Sequence, residues 1–173
     1  NLFNKTLRDL GIDFTFVDPR ISKEDLDKVF QNNTKAVFAE TITNPSLDVI
    51  DIEMFACVAH SHNVPLIIDN TFATPINCRP FEFGADIVIH STSKYLDGHA
   101  CSLGGCIVDS GNFDWTKGDY KMLTTPDETY HGVVYTEKFG KSAYIVKART
   151  HLMRDYGVTM SPQNAFLLGN NIE

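Results

Sequence analysis

Four short apolar runs that alternate with helix-like segments constrain the fold of this chain more than any other feature. The runs are KAVFAE at 35–40, VPLII at 64–68, DIVIH at 86–90 and GCIVD at 105–109. Each is short and apolar enough to be a strand that is buried on both faces. Short buried strands separated by helices predict an α/β fold, in which helices in two outer layers cover a mostly parallel mixed sheet.

The segments around these strands predict further elements. Helical spacing of apolar residues predicts a first helix that ends near Gly11, and Ser22 with Asp25 resembles the capping box of a second helix. The other predictions are a strand at Ile12–Val17, a chain break at Asn44–Pro45, a helix at Ile52–His62, one long helix at Lys138–Tyr156 and a helix start at Ser161–Pro162.

Length, charge and cysteine usage narrow the classes of function. A chain of 173 residues is expected to form one domain, and its net charge of −7 makes nucleic acid a poor partner. No apolar run reaches the ~18 residues of a membrane-spanning helix. The four cysteines form no CxxC pair, which favours a reducing cytoplasm. The sequence opens without Met in a helix-like segment, so we expect it to be part of a longer protein.

Polar residues directly follow three of the predicted strands. They lie in the segments Glu40–Asn44, Asp69–Thr71 and His90–Lys94. Ligands of open α/β sheets bind at the carboxyl ends of the strands, so these segments are expected to share one site.

Asp69 and Lys94 carry the most specific chemistry, although each also has an ordinary structural interpretation. Asp69 is either a cap or turn residue, or the partner of a buried cation such as the pyridinium nitrogen of pyridoxal 5'-phosphate (PLP). Lys94 follows the hydroxyl-rich run Ser91–Ser93, which is either a solvated turn or a phosphate site with a nucleophilic amine beside it. Taken singly, each feature favours the structural interpretation.

The sequence lacks several other ligand motifs. Neither GxGxxG nor GxxxxGK[ST] occurs, so the dinucleotide and P-loop interpretations lose their main support. The six histidines have no metal-ligand spacing with one another or with a cysteine, so no metal site is predicted.

The combination of segments is far more specific than its parts. VPLIIDNTFATP, GADIVIHSTSKYLDGH and LGG, preceded by AETITNPSLDVIDI, resemble the PLP-dependent Cys/Met-metabolism family, which includes cystathionine γ-synthase and methionine γ-lyase. The resemblance covers essentially the whole chain, and IVDSGNFDW and YTEKFGKSAYIVKARTHLMRD are most similar to the O-acetylhomoserine sulfhydrylase branch. It implies an α/β domain of the aspartate-aminotransferase type, PLP fold type I.

The resemblance also implies the roles of the central residues. Lys94 would form a Schiff base with the aldehyde of PLP and would move protons on the substrate. Asp69 would pair with the pyridinium nitrogen, and Asn44 would donate a hydrogen bond to the phenolic oxygen.

The remaining candidates would hold the phosphate or support the site. Ser91 and Ser93 would bind the phosphate, and Thr71 would lie close to the ring. Glu40 and His99 are expected to be supporting residues.

Two positions depart from the family pattern. GHACSLGG stands here where the family often has GHGTSIGG, so Ala100 and Cys101 replace Gly and Thr and restrict the backbone of this loop. Ser93 replaces the usual Thr, and because it keeps the hydroxyl its expected role survives.

The activity implied by the resemblance is γ-replacement, which converts O-acetylhomoserine and sulfide or a thiol to homocysteine or methionine and acetate. Elimination or replacement of the methionine γ-lyase or cystathionine γ-synthase and γ-lyase types is an alternative. An alternative from another class is a non-catalytic α/β domain that binds a phosphorylated ligand at Ser91–Ser93.

The domain boundaries and partners follow from the same resemblance. Residues 1–156 are expected to form part of the PLP-binding large domain, and 157–173 the linker and first helix of a C-terminal domain. The family's ring-stacking Tyr would precede Asn1 and its substrate-carboxylate Arg would follow Glu173, so this chain alone is expected to be catalytically incomplete. An amino-acid substrate and a homotetramer of active-site-sharing dimers are the expected partners.

Overall fold

The structure is a computed structural model and describes residues 2–172. A mixed sheet forms its centre. Its strands are β1 (Val37–Glu40), β2 (Leu66–Asp69), β3 (Ile87–His90) and β4 (Cys106–Asp109), adjacent in that order. The first three run parallel, and β4 runs antiparallel to β3. The predicted strands and the mostly parallel mixed sheet are therefore confirmed, with boundaries shifted by one or two residues.

Helices precede, connect and follow these strands. They are α1 (Lys23–Lys28), α2 (Ile52–Ser61), α3 (Thr74–Asn77), α4 (Lys121–Thr124), α5 (Tyr135–Phe139), α6 (Ala143–Lys147), α7 (Arg154–Tyr156) and α8 (Pro162–Ile172). Short π-helical and 3₁₀ turns lie between several of them. Within residues 2–172, no helix combines the length and the apolar character that crossing a bilayer requires.

The sheet separates two hydrophobic clusters. On one face, Leu66, Ile68 and Val88 pack with Leu26 of α1 and Phe55 of α2. On the other face, Ile87 packs with Trp115, Leu123, Tyr135 and Ala143, which lie in the segment that follows β4 and in α4 to α6. Burial of a large apolar side chain stabilises the fold by about 1.5–3 kcal/mol each, so both faces contribute. The predicted three-layer α/β arrangement is confirmed.

Side-chain caps fix where several helices begin. The hydroxyl of Ser22 accepts a hydrogen bond from the backbone N–H of Asp25, as its capping pattern predicts. The carboxylate of Asp51 accepts one from Met54 at the start of α2. The hydroxyl of Ser161 accepts one from Asn164 at 3.2 Å, which confirms the predicted start of α8.

The predicted strand at Ile12–Val17 is wrong. This segment forms no ladder with any of the strands in the described part of the chain. Its apolar side chains pack on their own aromatic neighbours instead, because Phe14 lies 4.9 Å from Phe3 and 6.5 Å from Phe16 between ring centroids. The phenylalanines of the alternating pattern therefore pack against other aromatic rings and do not indicate a strand.

The predicted single helix at Lys138–Tyr156 is also wrong at its start. Helix α5 ends at Phe139, and Gly140 follows with φ 50° and ψ −120°. A 3₁₀ turn at Gly140–Ser142 follows, and α-helical structure resumes at Ala143 and continues through a π-helical turn at Ala148–Met153 to Tyr156. Glycine adopts this positive-φ conformation without the steric cost that other residues have. The α-helix is therefore interrupted at Gly140, although the apolar spacing in the sequence continues past it.

Candidate active site

A cleft lies at the carboxyl ends of the parallel strands. It is lined by Glu40, Ile42, Asn44, Asp69, Thr71, Phe72 and Lys94. Its enclosed volume is about 50 Å³. The structure therefore brings five of the eight predicted site residues, from three separate segments, to one place, as the position of ligand sites in open sheets led us to expect. Ser91, Ser93 and His99 do not line the cleft.

Asp69, the last residue of β2, is held by the residue two positions after it. Thr71 donates its backbone N–H and its hydroxyl to Oδ1 of Asp69, at 2.9 and 2.5 Å. The same Thr71 hydroxyl oxygen accepts the backbone N–H of Ser91 at 2.8 Å. These bonds join the ends of β2 and β3 and fix the orientation of the carboxylate, and neither bond to Asp69 uses Oδ2.

Lys94 lies in the helical turn Thr92–Leu96 that follows β3. Its own φ of −107° and ψ of −113° are not helical, so the backbone changes direction at this residue. Its carbonyl oxygen accepts the backbone N–H of Gly98 at 2.9 Å. Lys94 is exposed and lines the cleft, so a ligand can reach its amine from solvent.

Glu40 and Asn44 form the side of the cleft that belongs to β1. The backbone N–H of Asn44 donates to Oε2 of Glu40 at 3.0 Å, which closes the turn after β1. The Asn44–Pro45 peptide bond is cis, and the predicted interruption of the chain lies here. Glu40 therefore has a specific supporting contact, since it holds the backbone of Asn44.

The two predicted phosphate ligands have different surroundings. Ser91 is half-buried, and its backbone is tied to Thr71. The hydroxyl of Ser93 donates to the carbonyl of Gly104 at 3.1 Å and accepts the backbone N–H of the same residue at 2.9 Å. Since the Ser93 hydroxyl has a single hydrogen, it must turn away from the Gly104 carbonyl before it can donate to a phosphate.

His99 lies outside the residues that line the cleft. It is exposed, and its Nδ1 is 3.2 Å from the carbonyl oxygen of Asp97. Any support that it gives to the site passes through the loop after Lys94 rather than through direct contact with the cleft.

Two apolar residues of the cleft were not among the predicted site residues. Ile42 lies in the turn after β1, and Phe72 follows Thr71 and contacts Tyr95 edge to face, with 5.4 Å between the ring centroids. The only indication in the sequence that they belong to the cleft is their position next to predicted polar residues. Apolar side chains there limit water at one side of the cleft.

The donors and acceptors of the cleft fit PLP. A carboxylate, an amine and an amide suit a pyridinium nitrogen, an aldehyde and a phenolic oxygen respectively. These groups line one open cleft, so a single ring could reach all three of them. Among residues 2–172, no group of three or more His, Cys, Asp or Glu side chains is placed to hold a metal ion.

Ala100 is strained in the loop after Lys94, as the departure from glycine at this position led us to expect. Its φ of 53° lies in the left-handed region, which costs a residue with a Cβ roughly 1–2 kcal/mol. We therefore expect Ala100→Gly to raise the free energy of unfolding by about 0.5–1 kcal/mol, after the greater entropy of an unfolded glycine is subtracted. Denaturant unfolding measures this change.

Ala165→Gly in helix α8 is the matched control. Ala165 is exposed within a regular helix, so the same substitution should lower the free energy of unfolding by about 0.5–1 kcal/mol. Changes of the same sign at both positions would contradict the strain assigned to Ala100.

Comparison with known sequences gives a match along the whole chain. The family described as "Cys/Met metabolism PLP-dependent enzyme" matches residues 1–173. The homocysteine/cysteine synthase of Saccharomyces cerevisiae is 44% identical over 176 residues, which cover 100% of this chain and 39% of that protein. The O-acetyl-L-homoserine sulfhydrylase of Corynebacterium glutamicum is 45% identical over 177 residues, which cover 99% of this chain and 40% of that protein. The chain thus spans about two fifths of the length of these curated relatives.

Comparison with solved structures gives the same picture. A crystal structure from Campylobacter jejuni matches with a TM-score of 0.90 and 35% identity, and the match covers 99% of this chain and 42% of that chain. That structure contains N'-pyridoxyl-lysine-5'-monophosphate, a lysine joined to the pyridoxyl group.

Proposed function

Since the chain belongs to the Cys/Met metabolism PLP-dependent enzyme family, we propose that the full-length protein catalyses a γ-replacement on O-acetylhomoserine. The names of relatives that are 44% and 45% identical support this reaction. The observation that carries the proposal is that Asp69 and Lys94, 25 positions apart in the sequence (94 − 69), line the same cleft.

The reaction exchanges one group at the γ carbon of the amino-acid substrate. The bond from this carbon to the acetate oxygen breaks and a bond to sulfur forms. Sulfide gives homocysteine and acetate, and methanethiol gives methionine and acetate. No net oxidation or reduction occurs.

The chain supplies position, charge and proton transfer. PLP, when bound, supplies the electron sink for carbanion chemistry. Lys94 holds the cofactor through its amine and, when it is free, removes and returns protons at the α and β carbons of the substrate. Asp69, oriented by Thr71, keeps a proton on the ring nitrogen.

The other candidates position the cofactor around this pair. Asn44 binds the phenolic oxygen, and its backbone is held by Glu40. Ser91 and Ser93 bind the phosphate, the latter after its hydroxyl turns away from Gly104. His99 supports the loop after Lys94.

The larger setting of the site is part of the same proposal. Residues 1–156 form part of the PLP-binding large domain, and 157–173 form a linker with the first helix of a C-terminal domain. The protein acts as a homotetramer of dimers that share active sites. Its four cysteines are free, which fits a reducing cytoplasm.

Borohydride reduction of the full-length protein tests the proposal. Reduction in the presence of PLP should place a stable pyridoxyl group on the peptide that contains Lys94. With O-acetylhomoserine and sulfide, the unreduced protein should release homocysteine and acetate in equal amounts. Adducts scattered over surface lysines without a thiol product would indicate instead a non-catalytic domain that binds phosphorylated ligands. A keto acid and ammonia formed without sulfide would indicate γ-elimination.

A further inference from the structure

Asp97 is a fully buried carboxylate in the loop that follows Lys94. Its Oδ2 accepts the backbone N–H of Cys101 at 2.8 Å, and its Oδ1 accepts the hydroxyl of Ser102 at 2.8 Å. The side-chain amide of Asn171 also donates to Oδ1, at 3.1 Å. A buried charge is stable only with such partners, so this carboxylate needs all three groups in place.

The loop that Asp97 organises returns to the residue beside Lys94. Gly104 closes it by bonding the hydroxyl of Ser93 through both its N–H and its carbonyl. At the near end, Asp97 and Gly98 donate their backbone N–H groups to the carbonyls of Thr92 and Lys94. The carboxylate is therefore the internal support of a closed loop that begins and ends around Lys94.

Helix α8 is attached to the same loop at two points. Besides its bond to the carboxylate, Asn171 donates to the backbone carbonyl of Asp97 at 2.9 Å. About two turns earlier on the same face of α8, the side-chain amide of Asn164 donates to the carbonyl of Leu103 at 2.8 Å. The first and last turns of α8 thus hold the two halves of the loop.

The carboxylate of Asp97 is ionised throughout the useful pH range. The hydrogen bonds from the backbone N–H of Cys101 and the hydroxyl of Ser102 lower its pKa to about 2, and Asn171 contributes in the same direction. The Asp97 carboxylate therefore accepts the hydrogen bonds from Cys101, Ser102 and Asn171 at every pH at which the enzyme would be assayed.

We propose that Asp97 is a positioning residue for the cofactor lysine, because its carboxylate fixes the loop that holds Ser93 and Lys94 and ties this loop to helix α8. The inference rests on the proposed function, since it concerns how the proposed PLP site is kept in shape. Asp97 acts through the loop and does not line the cleft.

Asp97→Asn in the full-length protein is the test. Asparagine keeps the shape but turns one oxygen into an NH₂ group, so in either orientation this group faces a donor, Cys101 or Asn171. We expect the Kd for PLP to rise about tenfold, equivalent to about 1.4 kcal/mol, measured by cofactor fluorescence. Without PLP, the amides of residues 98–104 should exchange with deuterium faster, and kcat at saturating PLP should change less than Kd.

Two further variants make the result specific. Asp127→Asn is the matched control, because the side chain of Asp127 is only 10% exposed and this residue lies in a different loop, where its partner is Lys147. It should leave both the Kd and the exchange of residues 98–104 unchanged. Ser102→Ala removes one donor and keeps the charge, so it should raise Kd by about twofold to fivefold and remain informative if Asp97→Asn does not fold.

The outcomes separate this inference from the proposed function. Wild-type protein that gives a pyridoxyl adduct at Lys94, together with an Asp97 variant that behaves like the Asp127 control, would overturn the positioning role alone. A wild-type protein that gives no adduct at Lys94 would overturn the proposed function and this role with it.

Discussion

Replacement of Lys94 by alanine is expected to lower kcat of the full-length protein by roughly 10³-fold and to eliminate the pyridoxyl adduct from its peptide. Under the proposed function, the variant loses both the amine that holds the cofactor and the group that transfers protons at the substrate. Because Lys94 is exposed, its replacement should change the free energy of unfolding little. Steady-state release of homocysteine and peptide mapping after borohydride reduction measure the two effects.

Two other lysine variants show whether the loss of kcat in Lys94→Ala is due to the missing amine or to the missing positive charge. Lys94→Arg keeps the positive charge without an amine that can attach the cofactor, so it should be as inactive as the alanine variant. Lys121→Ala removes an exposed lysine whose nearest carboxylate is 4.0 Å away, and it should retain full activity and labelling. Activity of Lys94→Arg within tenfold of wild type would show that the charge of Lys94, rather than its amine chemistry, matters.

Replacement of Asp69 by alanine is expected to lower kcat by about 10²–10³-fold while Lys94 still becomes labelled at saturating PLP. In the proposed site the carboxylate would act on the ring nitrogen, whereas attachment to Lys94 would take place at the aldehyde. The expected result is therefore a separation of cofactor attachment from turnover. Loss of both together would mean that Asp69 mainly maintains the end of β2.

Thr71→Val refines the prediction for Asp69. Valine removes the hydroxyl bonds to Oδ1 of Asp69 and to the backbone N–H of Ser91 but leaves the backbone N–H bond of residue 71, so kcat should fall only about tenfold. Asp51→Asn is the control, because Asp51 caps α2 and asparagine caps equally well. This control should have wild-type kcat.

The two central strands, β2 and β3, could be predicted because they are largely buried on both faces. Runs such as DIVIH have few other ways to hide their side chains, and β3 lies within the predicted range. In the segment Ile12–Val17, by contrast, Phe14 packs against Phe3, and this contact needs no partner strand. Alternation predicts which faces are apolar, but only the tertiary structure decides whether a neighbouring strand is available.

The polar residues of the cleft were predictable because they lie at or just after the ends of strands. Asp69 and Lys94 each come within a few residues of a strand end, and parallel strands bring those ends together. The support of Asp97 could not be predicted in the same way. Its partners lie four, five and 74 positions away, and no periodic pattern marks a contact between a loop and helix α8.

The antiparallel direction of β4 has a consequence for how this protein can change. His90 and Cys106 are paired neighbours in the sheet, so the fifteen residues between them leave and re-enter the scaffold at nearly the same point. The two anchors stay in place when residues of this excursion outside the cleft, such as Ala100 and Cys101, are exchanged, whereas Lys94 in the same excursion lines the cleft and is fixed by its role there.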